Sequence, residues 1–252
     1  MTEILLPLIS VLGGELEAFL VVLARLSPIV FLMPGVGEQV LPVRIRLMVL
    51  LGVSAAFSFE GAFEPPVMAT AGKLIEVLIS ELIIGILIGI TLRLCIWALM
   101  MAGSLIAQSI GLSQLLGFST DTEAQTIVAK LLAMAGAALL LSMNFHVAAF
   151  AAIWDLYDAL PPGARAASYY AHLAEAIFSA VTLGFLLAWP FVVVSLLYNI
   201  GLGFINKAMP QLMVAFVGAP FIVGAGLILM TTGLVALLMV WASRTAPLIG
   251  WM

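Results

Sequence analysis

The side chains that could perform acid–base chemistry are few and scattered. The chain has two histidines, His146 and His172, and we expect neither to have a carboxylate partner that orients its ring for general acid–base catalysis. Asp155 and Asp158 lie one helical turn apart, but nothing around them predicts the burial that tunes a catalytic carboxylate pair. We therefore interpret the histidines as hydrogen-bonded structural residues and the two aspartates as a solvated helix end.

Metal, redox and phosphate chemistry have no pattern to support them. The single cysteine, Cys95, cannot form an intramolecular disulfide, and two histidines add too few ligands for a structural zinc site. The sequence contains neither a glycine-rich phosphate loop ending in Lys-Ser or Lys-Thr nor a Gly-x-Ser-x-Gly turn. We expect no cofactor, no metal and no enzymatic activity.

The composition instead predicts a membrane protein. Of the 252 residues, 64% are hydrophobic and 9% are charged, whereas about a quarter of the residues of a soluble domain are charged. Nine Lys and Arg stand against thirteen Asp and Glu, a balance that argues against nucleic acid as a partner because phosphates require clustered cations. We predict one all-α domain over residues 1–252, with about five to seven long apolar helices.

Proline, glycine and polar clusters separate the apolar runs. The runs predicted to be helical are Leu5–Met33, Pro42 to about Phe59, a long run from near Thr70, Ile127–Trp154, Ala171–Tyr198 with a kink at Pro190, and Phe221–Trp241. Between the fourth and fifth runs, the acids and prolines from Asp155 to Ser168 predict a hydrophilic connection. Gly85 and Gly89 have the spacing that lets two helices approach closely in an apolar setting.

Two arginines interrupt apolar helices. Arg25 would lie near the middle of its run, where insertion scales assign a charge roughly 2.5–3.5 kcal/mol, so we expect it to face protein or water. Arg93 could form a cation–π contact with Trp97 one turn further. Arg44 marks a basic helix start after Pro42.

The stretch from Asn199 to Pro220 contains residues that a lipid-spanning helix avoids. Its prolines remove backbone donors, its glycines loosen the backbone, and its amides need polar partners. It is either an interfacial turn of a helical hairpin or a broken segment at the centre of an assembly. The residues that carry this pattern are Asn199, Asn206, Pro210, Gln211, Gly218 and Pro220.

Residues Gln108–Gln125 are rich in Gly, Ser, Thr and Gln and contain no basic residue. This composition favours a loop over a packed helix, and an ordinary extramembrane loop would account for it. The thirteen methionines suit ordinary core filling, and their flexible side chains could also seal around a moving guest.

Several of these segments together resemble the FliR family of flagellar biosynthesis, whose injectisome relatives are called SctT. The similar segments are Arg25–Pro28 with Pro34–Gly37 and Pro42–Leu47, Gly103–Leu112, Asn144–His146 with Leu160–Pro161, and Asn199–Gln211 with Phe216, Gly218 and Pro220. The resemblance covers the chain from about Leu5 to Trp241.

The resemblance implies a subunit of the type III export gate, built of bent helical hairpins, in the bacterial inner membrane at the flagellar basal body. FliP-like and FliQ-like subunits would form a pore with it, and FlhB-like and FlhA-like proteins would work beside it. Unfolded proteins would pass through, and lipid would surround the outer helices. The resemblance further implies a plug within Gln108–Gln125, for which the candidate residues are Gln108, Gly111, Gln114, Leu115, Leu116, Gly117 and Phe118.

Other membrane functions remain as alternatives. A secondary transporter for a small solute would also have broken helices near the midplane, but no internal repeat pairs the two halves of the chain. An enzyme acting on lipid-linked substrates would need a cluster of acids, His or Arg at one interface, and here the charges are scattered.

Overall fold

The computed structural model describes residues 2–38, 41–60, 71–111, 121–164, 167–208 and 214–245. The described residues form seven helices, and the prediction of an all-α protein is confirmed. The helices are α1 (Thr2–Leu32), α2 (Val43–Phe59), α3 (Ala71–Ile110), α4 (Asp121–Ser142), α5 (Phe145–Ala159), α6 (Ala167–Ala208) and α7 (Val214–Thr245).

Three of these helices, α3, α6 and α7, are long and apolar enough to cross a membrane, and α4 with α5 could form a fourth, broken span. α3 has 40 residues and α6 has 42, so at 1.5 Å per residue each is about 60 Å long. The hydrocarbon core of a bilayer is about 30 Å thick. The prediction of a helical membrane protein is confirmed.

The first turn between helices follows the sequence closely. Gly35 has a φ of 85°, in the left-handed region that glycine adopts without strain. The amide of Gly37 donates to the carbonyl of Met33 over 2.7 Å, and Pro42 caps α2 with a φ of −56°. Proline suits this position because the first amides of a helix have no intrahelical acceptor.

One predicted helix is divided and then extended. The run Ile127–Trp154 was expected to be continuous, but Asn144 takes the left-handed conformation with φ 57° and ψ 28° and separates α4 from α5. Asn enters this region more readily than other non-glycine residues. α5 then continues to Ala159, so Asp155 and Asp158 lie on a helix, and the predicted connection from Asp155 begins too early.

The break predicted over Asn199–Pro220 is also shorter than expected. α6 continues through Asn199 and Asn206 to Ala208, and α7 begins at Val214 and includes Pro220. Away from water nothing competes for the backbone hydrogen bonds of a helix, so amides and glycines that would favour a turn in water are kept in helical conformation. Pro210 and Gln211 lie outside the described residues.

The chain divides into two compact units. Among the described residues, the first comprises those within 2–94 and 140–177, and the second those within 95–139 and 178–245. α3, α4 and α6 each contribute residues to both.

In the first unit, α1 packs against α2 and α3. A Cβ at Gly85 of α3 would collide with the carbonyl oxygen of Arg25, and a Cβ at Gly89 would lie 3.0 Å from the carbonyl oxygen of Pro28. The predicted close approach of two helices at this glycine pair is confirmed. The fully buried apolar residues here include Val22, Ile29, Ile84, Ile88 and Ile153.

In the second unit, small residues bring α3, α4, α6 and α7 together. A Cβ at Gly103 of α3 would lie 2.7 Å from the Cα of Ala129 on α4. The fully buried ring of Trp241 on α7 donates from Nε1 to the carbonyl oxygen of Cys95 over 2.9 Å. A Cβ at Gly136 of α4 would collide with Leu99 Cδ1 and lie 3.1 Å from that ring, so these two side chains fill the space that a side chain at position 136 would occupy.

Substitution of Gly85 tests the helix contact. We expect Gly85→Ala to destabilise the protein by about 1–3 kcal/mol, because the added methyl group meets backbone atoms that cannot rotate away. The measurement is the amount of protease-resistant full-length chain in native membranes after heating. Gly52→Ala is the control, since Gly52 also lies inside a helix but has no neighbouring atom within 4 Å of a Cβ; equal stability of the two variants would contradict the close packing.

Candidate functional site

The most strongly constrained polar site lies inside the first unit, where Arg25 and Glu81 are both fully buried. Arg25 Nε lies 2.5 Å from Glu81 Oε2, and Arg25 Nη2 lies 3.1 Å from Glu81 Oε1. The planar guanidinium therefore meets the carboxylate with two hydrogen bonds, the geometry that makes Arg suited to buried ion pairs. The expectation that Arg25 faces protein is confirmed.

Backbone groups and a ring complete this site. Arg25 Nη2 donates to the carbonyl oxygen of Leu160 over 2.8 Å, and the amide of Gly163 donates to Glu81 Oε1 over 3.0 Å. The guanidinium carbon of Arg25 lies 4.0 Å from the ring centroid of Tyr157, within the range of a cation–π contact. Arg25 Nη1 has no hydrogen-bond partner among the described residues. The face of the Tyr157 ring partly replaces the missing acceptor.

The site therefore joins three helices and a connection. Arg25 is contributed by α1, Glu81 by α3 and Tyr157 by α5, and the segment that follows α5 supplies the two backbone groups. A charge in an apolar setting must be paired to be tolerated. This arrangement can hold helices in register; within the described ranges, no three His, Cys, Asp or Glu side chains are placed to hold a metal ion.

A second ion pair links Arg93 to Glu38. Arg93 Nη1 lies 2.6 Å from Glu38 Oε1 and Nη2 lies 3.3 Å from Oε2, with 18% and 24% of the two side chains exposed. Glu38, and not Trp97, is thus the partner of Arg93. The pair ties the connection after α1 to α3.

Neither acidic partner was predicted from the sequence. Glu81 stands in a long apolar run, and an ionisable residue in such a run is itself a signal of a functional or structural site. Glu38 follows the Pro/Gly break and carried no comparable signal. The third predicted arginine, Arg44, is exposed in the first turn of α2.

The predicted plug begins at the end of α3. Gln108 is exposed in the last turn of this helix, and Gly111 ends it with a φ of 71° while its amide donates to the carbonyl of Gln108. The helical state of residues 108–110 and 121–125 shortens the predicted loop. The remaining plug candidates, Gln114, Leu115, Leu116, Gly117 and Phe118, lie outside the described residues.

The residues of the predicted C-terminal break have different environments. Asn199 is exposed and donates from Nδ2 to the carbonyl oxygen of Ser195 over 2.9 Å, and Asn206 is exposed at the end of α6. Gly218 is buried against Tyr198, whose hydroxyl a Cβ would meet, while Pro220 is exposed. The contact of Gly218 with Tyr198 shows that α6 and α7 form a helical hairpin.

The fold and these contacts define a membrane-embedded helical protein in which two arginines each pair with a carboxylate from another segment of the chain. A sequence profile of the family described as bacterial export proteins, family 1, matches residues 16–247. The chain belongs to this family.

Proteins named flagellar biosynthetic protein FliR are similar to the chain over most of their length. The one from Caulobacter vibrioides is 34% identical over 233 residues, which cover 90% of this chain and 92% of the relative. The one from Aquifex aeolicus is 27% identical over 86% of this chain and 87% of the relative, and the one from Escherichia coli is 26% identical over 82% and 80%. These matches confirm the resemblance to the FliR family.

The Arg25–Glu81 pair predicts a large difference between two similar substitutions. Glu81→Gln leaves a buried guanidinium without its counter-charge and should destabilise the protein by about 3–5 kcal/mol. Glu76→Gln on the same helix removes an exposed carboxylate and should leave stability close to that of the wild type. The measurement is the temperature at which the full-length chain loses protease resistance in native membranes.

A double substitution separates charge from packing. Replacing both partners, as Arg25→Met with Glu81→Leu, removes both charges and should be milder than Glu81→Gln alone. If Glu81→Gln were as stable as Glu76→Gln, the ion pair would not hold these helices together.

Proposed function

We propose that the chain is a subunit of the export gate of a flagellar type III secretion system. The observation that carries the proposal is the family match over residues 16–247, with 34% identity to the FliR protein of Caulobacter vibrioides over 90% of this chain. The name of these relatives, flagellar biosynthetic protein, favours a flagellar system over an injectisome. The match includes residues of both compact units, which supports one functional domain over residues 1–252.

In this proposal the chain acts together with other subunits in the bacterial inner membrane, at the flagellar basal body. FliP-like and FliQ-like proteins form a pore with it, and FlhB-like and FlhA-like proteins work beside it. The exposed faces of α6 and α7 support such an assembly, because they carry large apolar side chains that must be covered by lipid or protein. The most exposed of these side chains are Phe178, Phe204, Phe221, Ile228 and Met239.

The segment between α3 and α4 is the proposed plug. Because Gly103 of α3 lies against Ala129 of α4, the two helices run side by side, and residues 112–120 connect their ends. The left-handed Gly111 turns the chain out of α3 without steric strain. A segment such as Gln108–Gln125, rich in Gly, Ser, Thr and Gln, can block a pore while making few strong contacts, so an unfolded chain can displace it at little cost.

The transport step needs no catalytic group from this chain. Methionine and other apolar side chains seal around the passing substrate, since a flexible thioether adapts to an irregular surface. The energy for export comes from other components. The chain acts as a structural part of the conduit and not as an enzyme.

Removal of the plug is the direct test of this mechanism. Deletion of residues Gly111–Gly117 should raise the ion conductance of the assembled gate in a planar bilayer, because the lumen loses the segment that closes it. A deletion of equal length, Gly61–Val67, in the connection between α2 and α3 is the control and should leave the conductance low. An unchanged conductance after removal of Gly111–Gly117, in a gate that still assembles, would contradict the plug.

Copurification separates the gate from a solute transporter. A gate subunit should be recovered in a stable, monodisperse form only when FliP-like and FliQ-like proteins are expressed with it, because its apolar faces need those partners. A transporter should be monodisperse when expressed alone. Recovery of the isolated chain as a stable homo-oligomer, with no gain from coexpression, would refute the proposal of a hetero-oligomeric gate.

A further inference from the structure

An apolar groove lies between α6 and α7 in the second unit and belongs to none of the sites above. Its volume is about 260 Å³. The residues that line it include Leu186, Pro190 and Phe191 on α6 and Leu229, Gly233 and Val240 on α7. No charged side chain lines it, so its occupant must be apolar.

The floor of the groove is open because of Gly233. A Cβ at this position would have no atom of the chain within 4 Å, although glycine inside a helix is about 1 kcal/mol less favourable than alanine. Nothing within the described chain needs the small residue at this position. The space it leaves is available to a molecule outside the chain.

The α7 wall of the groove is about as long as one membrane leaflet is thick. From Leu229 to Val240 the helix rises about 16 Å at 1.5 Å per residue, which is about half of the 30 Å hydrocarbon core. This wall extends from the middle of α7 towards its C-terminal end at Thr245.

Arg244 stands at the end of the groove. It lies four residues, or one helical turn, beyond Val240 and therefore on the same face of α7. Arg244 is exposed in the last turn of the helix, and it makes no hydrogen bond or ion pair with the described residues. A guanidinium in this position is suited to bind a phosphate group.

We propose that this groove binds one acyl chain of an anionic phospholipid whose phosphate contacts Arg244. The apolar walls match an acyl chain, and the length of the α7 wall matches the thickness of one leaflet. The cation at the end of the groove matches the phosphate group. A partner helix with its side chains is about 10–12 Å wide and could place only side-chain ends in a groove of this volume. The lipid would fill the hairpin of α6 and α7 on the side that Gly233 leaves open.

The test measures lipid retained by the full-length chain, purified with its copurifying subunits, by native mass spectrometry. The probes are dioleoyl phosphatidylglycerol, which is anionic, and dioleoyl phosphatidylcholine, which is zwitterionic. We expect one tightly retained phosphatidylglycerol. Gly233→Leu should lower its retention about tenfold, because the new side chain takes the place of several methylene groups of the acyl chain.

Two matched variants control for general effects. Gly224→Leu introduces the same side chain on the same helix at another glycine with no neighbour within 4 Å, and it should retain the lipid. Arg244→Gln should lower the preference for phosphatidylglycerol over phosphatidylcholine about fivefold. Lys207→Gln, at the exposed end of α6, should leave this preference unchanged.

Photo-crosslinking in intact membranes identifies the molecule that occupies the groove. Benzoylphenylalanine in place of Leu237, which lines the groove, should crosslink to phospholipid. Crosslinking to another protein subunit would overturn the lipid proposal while supporting a hetero-oligomeric gate. Equal retention of phosphatidylglycerol by Gly233→Leu and Gly224→Leu, or an unchanged preference in Arg244→Gln, would also overturn it.

Discussion

A charge buried among apolar helices is tolerated only with a partner, and the first compact unit depends on this constraint at Arg25. The carboxylate of Glu81 supplies the counter-charge, while Leu160 and Gly163 supply backbone groups for the remaining hydrogen bonds. Because these groups come from α1, α3 and the segment after α5, one buried cation fixes three parts of the unit relative to one another. Such a pair contributes little to stability over a well-packed apolar core, but breaking it is costly.

The ion pair and the glycine contact are parts of one arrangement. Gly85 lies one turn after Glu81 on α3, so the two residues share a face of the helix. The carbonyl of Arg25 lies against Gly85, while the side chain of Arg25 reaches Glu81. The missing side chain at Gly85 lets the backbones approach, and that approach makes the short, two-point contact of guanidinium and carboxylate possible.

In the second unit, the described side chains pack closely and none of the buried ones is charged. Gly103 and Gly136 admit Ala129 and the indole of Trp241, and the outward faces of α6 and α7 remain apolar. Apolar side chains on the inward faces of the helices form the core of the unit. Apolar side chains on the outward faces need an apolar environment. The proposed partner subunits and the proposed lipid would each provide such an environment for a different part of these faces.

The sequence by itself determined the features that depend on local chemistry or on total composition. Its apolar content fixed the class of membrane protein, Gly35 and Pro42 fixed the first turn, and the cost of a charge in an apolar run required Arg25 to face protein or water. The resemblance carried by spaced prolines, glycines and amides led to the FliR family. The position of the close helix contact at Gly85 also followed from spacing alone.

The tertiary structure decided what depends on contacts between distant residues. Arg25 and Glu81 are 56 residues apart, and no local pattern selects one carboxylate among thirteen acids. The helical state of Asn199–Ala208 was likewise decided by surroundings. Local rules describe how amides and glycines compete with a helix in water, whereas in an apolar environment the backbone keeps its own hydrogen bonds. Pairing of charges and persistence of helices are therefore consequences of packing, which only the folded chain defines.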